Sequence, residues 1–146
     1  MKLGFNNLNT NDGVRIDDDI LTFTCVLPIV IQSGEIQKVK IGTIIEVEKG
    51  YVLNISTAIG LAEKAGEIFP AYITLDHTYS GELFLPVRNN GRNQLNLMQG
   101  IAIAQGYISK VQKIEPYVLD ALSIAESTRT KTTPQKKNTN FKFEVR

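Results

Sequence analysis

The residues best suited to chemistry lie between Leu75 and Glu82, in the run Leu-Asp-His-Thr-Tyr-Ser-Gly-Glu. A carboxylate such as Asp76 can hold and deprotonate a water molecule, as hydrolysis requires. An Asp and a Gly also frame the turns of many β-hairpins, so the same residues have a purely structural interpretation. His77 is the only histidine. With no second histidine to share a metal ion, we expect it to be a surface loop residue.

The composition excludes several other classes of chemistry. The sequence has no P-loop, no Gly-x-Ser-x-Gly motif, no Cys-His pair and no metal-ligand cluster, so it predicts no metal site and no cofactor. The one cysteine, Cys25, excludes an internal disulfide and lies on the buried face of a predicted strand, which favours a packed thiol. No apolar run of about 18 residues is present, and the first residues lack the apolar core of a secretory signal. We therefore expect cytoplasmic synthesis and no membrane partner.

Charge is distributed unevenly along the chain. The net charge is +1, but residues 127–146 contain six basic residues and one acidic residue. This basic C-terminal arm favours an acidic protein surface or a phosphate-rich ligand, and a solvated, flexible arm is the alternative. The pattern argues against a nucleic-acid partner, because no aromatic residue lies among these charges before position 141. The predicted partner-binding residues are Arg129, Lys131, Lys136, Lys137, Phe141 and Phe143.

The elements that must position Asp76 read as short strands. Apolar residues alternate from Leu21 to Ile31, which predicts one half-buried strand with Pro28 at an edge or a bulge. Alternation continues at positions 39–47 and again at 51–55. Residues 68–76, 82–88 and 101–108 are predicted strands as well, and the turn at Tyr79-Ser80-Gly81 separates two of them. Many short strands with frequent turns predict an all-β sandwich or barrel.

Helix is nearly absent from this pattern. One helical turn is predicted at about Gly60 to Ala65, with Gly66 as its C-cap. Residues 116–126 fit either a short helix or an extended strand exchanged with a neighbour. We divide the chain into a polar N-terminal arm (1–18), a β domain (19–115) and a C-terminal segment with the basic arm (116–146).

Three motifs resemble those of the trimeric dUTPase and dCTP deaminase superfamily. Asp76, Tyr79 and the Gly81-Glu82 turn match its Asp-x-Asp-Tyr-x-Gly-Glu hairpin. Residues 60–62, Gly-Leu-Ala, match the end of Pro-Arg-Ser-Gly-Leu-Ala, and residues 103–105, Ile-Ala-Gln, match the end of Gly-Asp-Arg-Ile-Ala-Gln. The resemblance implies a dUTPase-like β-barrel or jelly-roll and a homotrimer with an extended C-terminal arm. It also implies that Asp76 activates water, and that Tyr79, Gly60 and Gln105 bind a nucleotide.

The chain departs from the family pattern where the family binds phosphate. Thr57, Ala58 and Ile59 stand in place of Pro-Arg-Ser, and two apolar residues at 101–102 replace Asp-Arg. Each lost phosphate contact of this kind costs about 1.5–3 kcal/mol. From this degenerate active site we predict a non-catalytic trimer, a pseudoenzyme that serves as a structural module, such as a virion-associated decoration or head-fibre protein of a phage or viral capsid. The alternative is a diverged, Mg²⁺-dependent dUTP pyrophosphatase or a nucleotide-binding regulator.

Overall fold

The computed structural model describes residues 3–7 and 13–120, which form eleven β-strands and one short helix. Among these residues no helix is long and apolar enough to span a membrane. In chain order the elements are β1 (Leu3–Asn7), β2 (Val14–Asp17), β3 (Ile20–Thr24), β4 (Ile29–Ile31), β5 (Ile36–Val47), β6 (Tyr51–Thr57), α1 (Ile59–Glu63), β7 (Gly66–Ile68), β8 (Tyr72–Leu75), β9 (Glu82–Asn89), β10 (Leu95–Leu97) and β11 (Ala102–Lys110).

The strands form two main antiparallel sheets. One has the order β1-β5-β9-β7, the other has the order β2-β3-β11-β6-β8, and β4 pairs with β10. Apolar side chains from both sheets make one core, which includes Phe23, Ile41, Leu53 and Leu85, all fully buried. The prediction of an all-β sandwich or barrel is therefore confirmed.

The central strands follow the period-two pattern of the sequence. In β5 the side chains of Val39, Ile41, Thr43, Ile45 and Val47 are buried, as the alternation predicted. β5 has register shifts in its pairing with β9 between Lys40 and Ile44. Apart from these shifts, the register of β5 is well determined, because one of its faces is buried and a one-residue slip would expose every core residue.

The prediction of one continuous strand from Leu21 to Ile31 is wrong. The chain leaves the five-stranded sheet after Thr24 and pairs again as β4, in a different sheet. Val26 is buried and Leu27 is 57% exposed, so the alternation breaks at this point. Pro28, which has no N–H for a sheet hydrogen bond, lies in the connection between the two strands.

The helix and the strand that follows it also differ from the prediction. α1 ends at Glu63, and Ala65, with φ of 62°, adopts the left-handed conformation expected of Gly66. Gly66 instead begins β7, where a Cβ would lie 2.5 Å from Leu61 Cδ1, so close packing requires the glycine. The predicted strand at 68–76 is two strands, β7 and β8, which belong to different sheets.

The described residues fall into two units, one ending at Gln112 and the other beginning at Lys113. In the first unit, β1 pairs with β5 and β2 pairs with β3, two strands that the sequence patterns did not predict within the polar N-terminal arm. In the second unit, residues 113–120 form neither helix nor strand and are exposed. Residues 116–120 are therefore neither of the two predicted alternatives, a helix or a strand. Residues 121–126 lie outside the described residues.

Candidate functional site

Asp76 lies at the end of β8, in the loop that leads to β9, and its carboxylate is exposed. Its Oδ1 atom accepts two hydrogen bonds from Thr78, one from the backbone N–H at 2.9 Å and one from the hydroxyl at 2.5 Å. These two hydrogen bonds lower the pKa of Asp76, first through the hydroxyl and then through the backbone, because they favour the ionised form. Asp76 therefore points an ionised, oriented carboxylate at solvent, as water activation requires.

Tyr79 is half-buried, and its ring packs against the core beneath the same loop. Its backbone N–H donates to the carbonyl oxygen of Asp76 at 3.1 Å, and its hydroxyl donates to the carbonyl oxygen of Glu82 at 3.0 Å. Burial, followed by the charge of Glu82, raises the pKa of Tyr79, which keeps the hydroxyl protonated. The Glu82 carboxylate lies 2.9 Å from Lys40 Nζ, so the hairpin is anchored to β5.

A surface cavity of about 560 Å³ lies beside Tyr79. Its lining includes Glu46, Glu48, His77 and Ser80. His77 is exposed, which confirms the prediction of a surface loop residue. Because two carboxylates line this cavity, it is poorly suited to a polyphosphate and does not by itself form a nucleotide site.

Gln105 lies on the outer face of the five-stranded sheet and is exposed. Strand register places it between Thr22 of β3 and Ser56 of β6. The same row continues to Arg15 of β2, opposite Thr22, and to Tyr72 of β8, opposite Ser56. We call Arg15, Thr22, Gln105, Ser56 and Tyr72 the polar row. Sequence reasoning missed the other four members, because no local pattern shows which residues face each other across strands.

Gly60 lies in the first turn of α1, directly after β6, and a Cβ at this position would meet no described atom within 4 Å. The Ala58 N–H donates to the Ile103 carbonyl at 3.1 Å, so α1 lies at the end of β11 from which Gln105 extends. Ala58 is buried, Ile59 is 73% exposed, and the Thr57 hydroxyl accepts from the Ile68 N–H. No side chain at 57–59 offers a free charged group to a phosphate.

Asp76 and Gln105 do not meet within one chain. Gln105 lies level with Tyr72, two strands away, and Asp76 follows Tyr72 by four residues. With about 4.8 Å between strands and about 3.3 Å per residue, the two Cα atoms are roughly 16 Å apart. The structure thus brings Asp76 together with Tyr79 and places the helix that carries Gly60 beside the strand that carries Gln105, but it separates these two regions.

The described residues of one chain contain no ready-made set of metal ligands. No group of three or more His, Cys, Asp or Glu side chains among residues 3–7 and 13–120 is arranged to bind one. Cys25 is fully buried, its thiol donates to the Met98 carbonyl at 2.8 Å, and burial raises its pKa, which confirms a packed thiol. The six residues predicted to bind a partner, at positions 129–143, lie outside the described residues.

No family model matches the chain, but individual relatives do. It is 32% identical over 111 residues to the deoxyuridine 5'-triphosphate nucleotidohydrolase of Gloeothece citriformis, a match that covers 75% of this chain and 77% of that protein. The same enzyme of Orientia tsutsugamushi is 33% identical over 100 residues, with 68% of each chain covered. A match to the enzyme of Rickettsia bellii, at 34% identity, spans 59% of that protein.

Solved structures agree on the fold. The dUTPase of phage phi11 of S. aureus superposes with a TM-score of 0.72 at 15% identity, covering 82% of this chain and 97% of that one, and is described with a structural Mg(II) ion. The dUTPase of Streptococcus mutans gives a TM-score of 0.68 at 16% identity, covering 77% of this chain and 99% of that one. These similarities confirm the predicted dUTPase-like fold.

The relatives also overturn one prediction. Their shared name is that of a hydrolase, which contradicts a non-catalytic pseudoenzyme serving as a structural or capsid protein. The substitutions at 57–59 and 101–102 carried that prediction, but they leave Asp76, Tyr79 and Gln105 unchanged. The chain belongs to the dUTPase family.

Proposed function

We propose that this protein hydrolyses dUTP to dUMP and pyrophosphate. One observation carries the proposal, namely the similarity to dUTP nucleotidohydrolases over 75% of the chain. A match of that length in 146 residues cannot omit the middle of the sequence, so it includes Asp76, Tyr79 and Gln105. The exposed, oriented carboxylate of Asp76 is the group that such a reaction needs.

Asp76 is the water-activating base in this proposal. Oδ1 is occupied by Thr78, whereas no described residue donates a hydrogen bond to Oδ2. A water held by Oδ2 attacks the α-phosphorus, a bond forms between its oxygen and phosphorus, and the bond from that phosphorus to the bridging oxygen breaks. The carboxylate takes the water proton and releases it to solvent, and pyrophosphate leaves with the bonding electrons.

Tyr79 and Gln105 bind the substrate. The ring of Tyr79, fixed by the hydrogen bond from its hydroxyl to Glu82, supplies a flat surface for the deoxyribose. Gln105 projects from a central strand whose backbone is paired on both sides, so the base of its side chain is fixed and its amide can reach a phosphate oxygen as a donor. Gly60 leaves space beside Gln105 for the phosphate chain.

We also propose that the active protein is a homotrimer with sites shared between chains. The separation of roughly 16 Å between Asp76 and Gln105 supports this, because a single chain cannot apply both to one phosphate. A neighbouring copy would bring its own Asp76 and Tyr79 to the polar row. An exchanged C-terminal arm and a cytoplasmic location stay predictions.

Magnesium would accompany the substrate in this proposal. The described residues form no carboxylate cluster for the ion, so the phosphate oxygens of dUTP would be its main ligands. No step above depends on where the ion binds.

The test is release of pyrophosphate from dUTP in the presence of Mg²⁺. Wild-type protein should release it, and Asp76→Asn should lower kcat at least about 100-fold, since Asn keeps the shape but cannot accept a proton. Glu46→Gln is the matched control, because Glu46 is another exposed carboxylate beside Tyr79. No release by wild-type protein, or equal rates for wild type and Asp76→Asn, would refute the proposal.

A further inference from the structure

The polar row contains one cation, Arg15. Its strand, β2, is held to β3 by four paired positions, and Arg15 stands opposite Thr22. Thr22 in turn stands opposite Gln105, so Arg15 lies two strands from Gln105, on the same outer face. At about 4.8 Å per strand the two Cα atoms are about 10 Å apart.

The side chain of Arg15 is exposed and uncommitted. Among residues 3–7 and 13–120, the ion pair joins Lys40 and Glu82, and the side chain of Arg15 forms no ion pair or hydrogen bond. Val14 and Ile16 flank it on the opposite face, and Val14 is fixed in the core. The backbone beneath Arg15 is therefore rigid while its guanidinium remains available to a ligand.

Three other members of the row can donate to an anion and carry no negative charge, whereas the Tyr72 hydroxyl already donates to Asn54 Oδ1 at 2.7 Å. Thr22 and Ser56 supply hydroxyls, and Gln105 supplies an amide. A guanidinium binds phosphate oxygens with two parallel N–H groups and keeps its charge at every physiological pH. The positions that lack a charged group, 57–59, lie at the end of the same sheet.

We propose that Arg15 binds the phosphate chain of the substrate, across Thr22 from Gln105, and so replaces the cation absent from positions 57–59. The identity of the nucleotide rests on the proposed function. The chemical class that Arg15 itself would recognise is a polyphosphate. Asp17 lies on the same face of β2, but it stands opposite Ile20, one step farther from Gln105, and therefore opposes binding less than Arg15 favours it.

The experiment measures binding rather than turnover. The full chain is titrated calorimetrically with a non-hydrolysable dUTP analogue and, separately, with inorganic pyrophosphate. Arg15→Gln should weaken both at least about tenfold, and Arg15→Lys should lie between, because an ammonium keeps the charge but loses the paired donors. Arg92→Gln, an exposed arginine outside the row, is the matched control, and Asp17→Asn should bind as tightly as wild type or more tightly.

The outcomes separate this inference from the proposed function. If Arg15→Gln binds both ligands within twofold of wild type, Arg15 does not contact phosphate, whether or not dUTP is hydrolysed. If wild type binds pyrophosphate through Arg15 but releases none from dUTP, the phosphate contact stands and the hydrolase proposal fails. If wild type binds neither ligand, the inference is refuted. Because Arg15 is exposed, thermal unfolding midpoints should be unchanged and exclude misfolding as the cause.

Discussion

Two regions of this molecule position their candidate functional side chains in different ways. The loop from Asp76 to Glu82 is positioned by its own hydrogen bonds, since those that fix Asp76 and Tyr79 come from residues within this loop. The polar row is positioned by pairing between distant parts of the chain, from Arg15 to Gln105. The carboxylate is therefore positioned by local sequence, whereas the side chains proposed to bind phosphate depend on strand pairing.

The most decisive way to test this division is to inactivate each region in a different chain. Asp76→Asn and the double variant Arg15→Gln/Gln105→Ala should each be nearly inactive alone. In trimers assembled from an equal mixture, each shared site has one chance in four of drawing both intact regions, so activity should return to about a quarter of wild type. The measurement is pyrophosphate release after co-refolding.

Separately purified variants mixed without refolding provide the control for this recovery. If no activity returns in co-refolded trimers, the two regions act within one chain and do not form a site shared between chains. Recovery near a quarter would instead show that the separation of Asp76 from Gln105 reflects a shared site.

A substitution in the core beneath the polar row should lower the free energy of unfolding far more than one in the loop. Phe23 is fully buried, and its ring lies 2.8 Å from where a Cβ on Gly106 would stand, directly beneath the row. Phe23→Ala should lower the free energy of unfolding by about 3–5 kcal/mol, measured by urea denaturation. Ser80→Ala, in the exposed loop, should change it by less than about 0.5 kcal/mol. Equal losses would mean that Ser80 contributes as much to stability as the core residue beneath the row.

The smallest expected effect concerns Thr78. Thr78→Val removes the hydroxyl that lowers the pKa of Asp76, so that pKa should rise, as measured by NMR titration of the side-chain carboxyl. A lowered carboxyl pKa contributes stability that is present above the unfolded-state pKa and lost as pH falls through the folded-state pKa. Wild type should thus lose this contribution at lower pH than Thr78→Val. Thr78→Ser should keep the wild-type pKa, and an unchanged pKa in Thr78→Val would show that the hydroxyl does not hold the carboxylate.

Sequence patterns predicted the central strands because burial on one face imposes a period of two. β5 and β6 followed this rule at Val39, Ile41 and Leu53. The rule failed between Thr24 and Ile29, where the apolar alternation continues although the chain changes sheets. It cannot distinguish a strand that continues from one that ends and restarts, since the apolar residues keep a period of two in the sequence even where burial does not.

For single residues, too, the sequence predicted some roles and missed others. Gly66 was predicted to end the helix by its freedom at positive φ, but Ala65 takes that conformation and Gly66 is needed for contact with Leu61. Likewise, the loss of charged residues at 57–59 suggested a protein without activity. Local sequence shows which side chains are absent from one place, but not whether another strand supplies an equivalent group nearby.

The sequence by itself determined the all-β fold, the hairpin that carries Asp76 and Tyr79, and the buried state of Cys25. Alternation, turn residues and hydrogen bonds between near neighbours fix these features within a few residues of chain. Only the tertiary structure decided that Arg15 and Gln105 share a face and that Asp76 lies far from both. Cross-strand register sets those distances, and it follows from how the whole core packs rather than from any one segment.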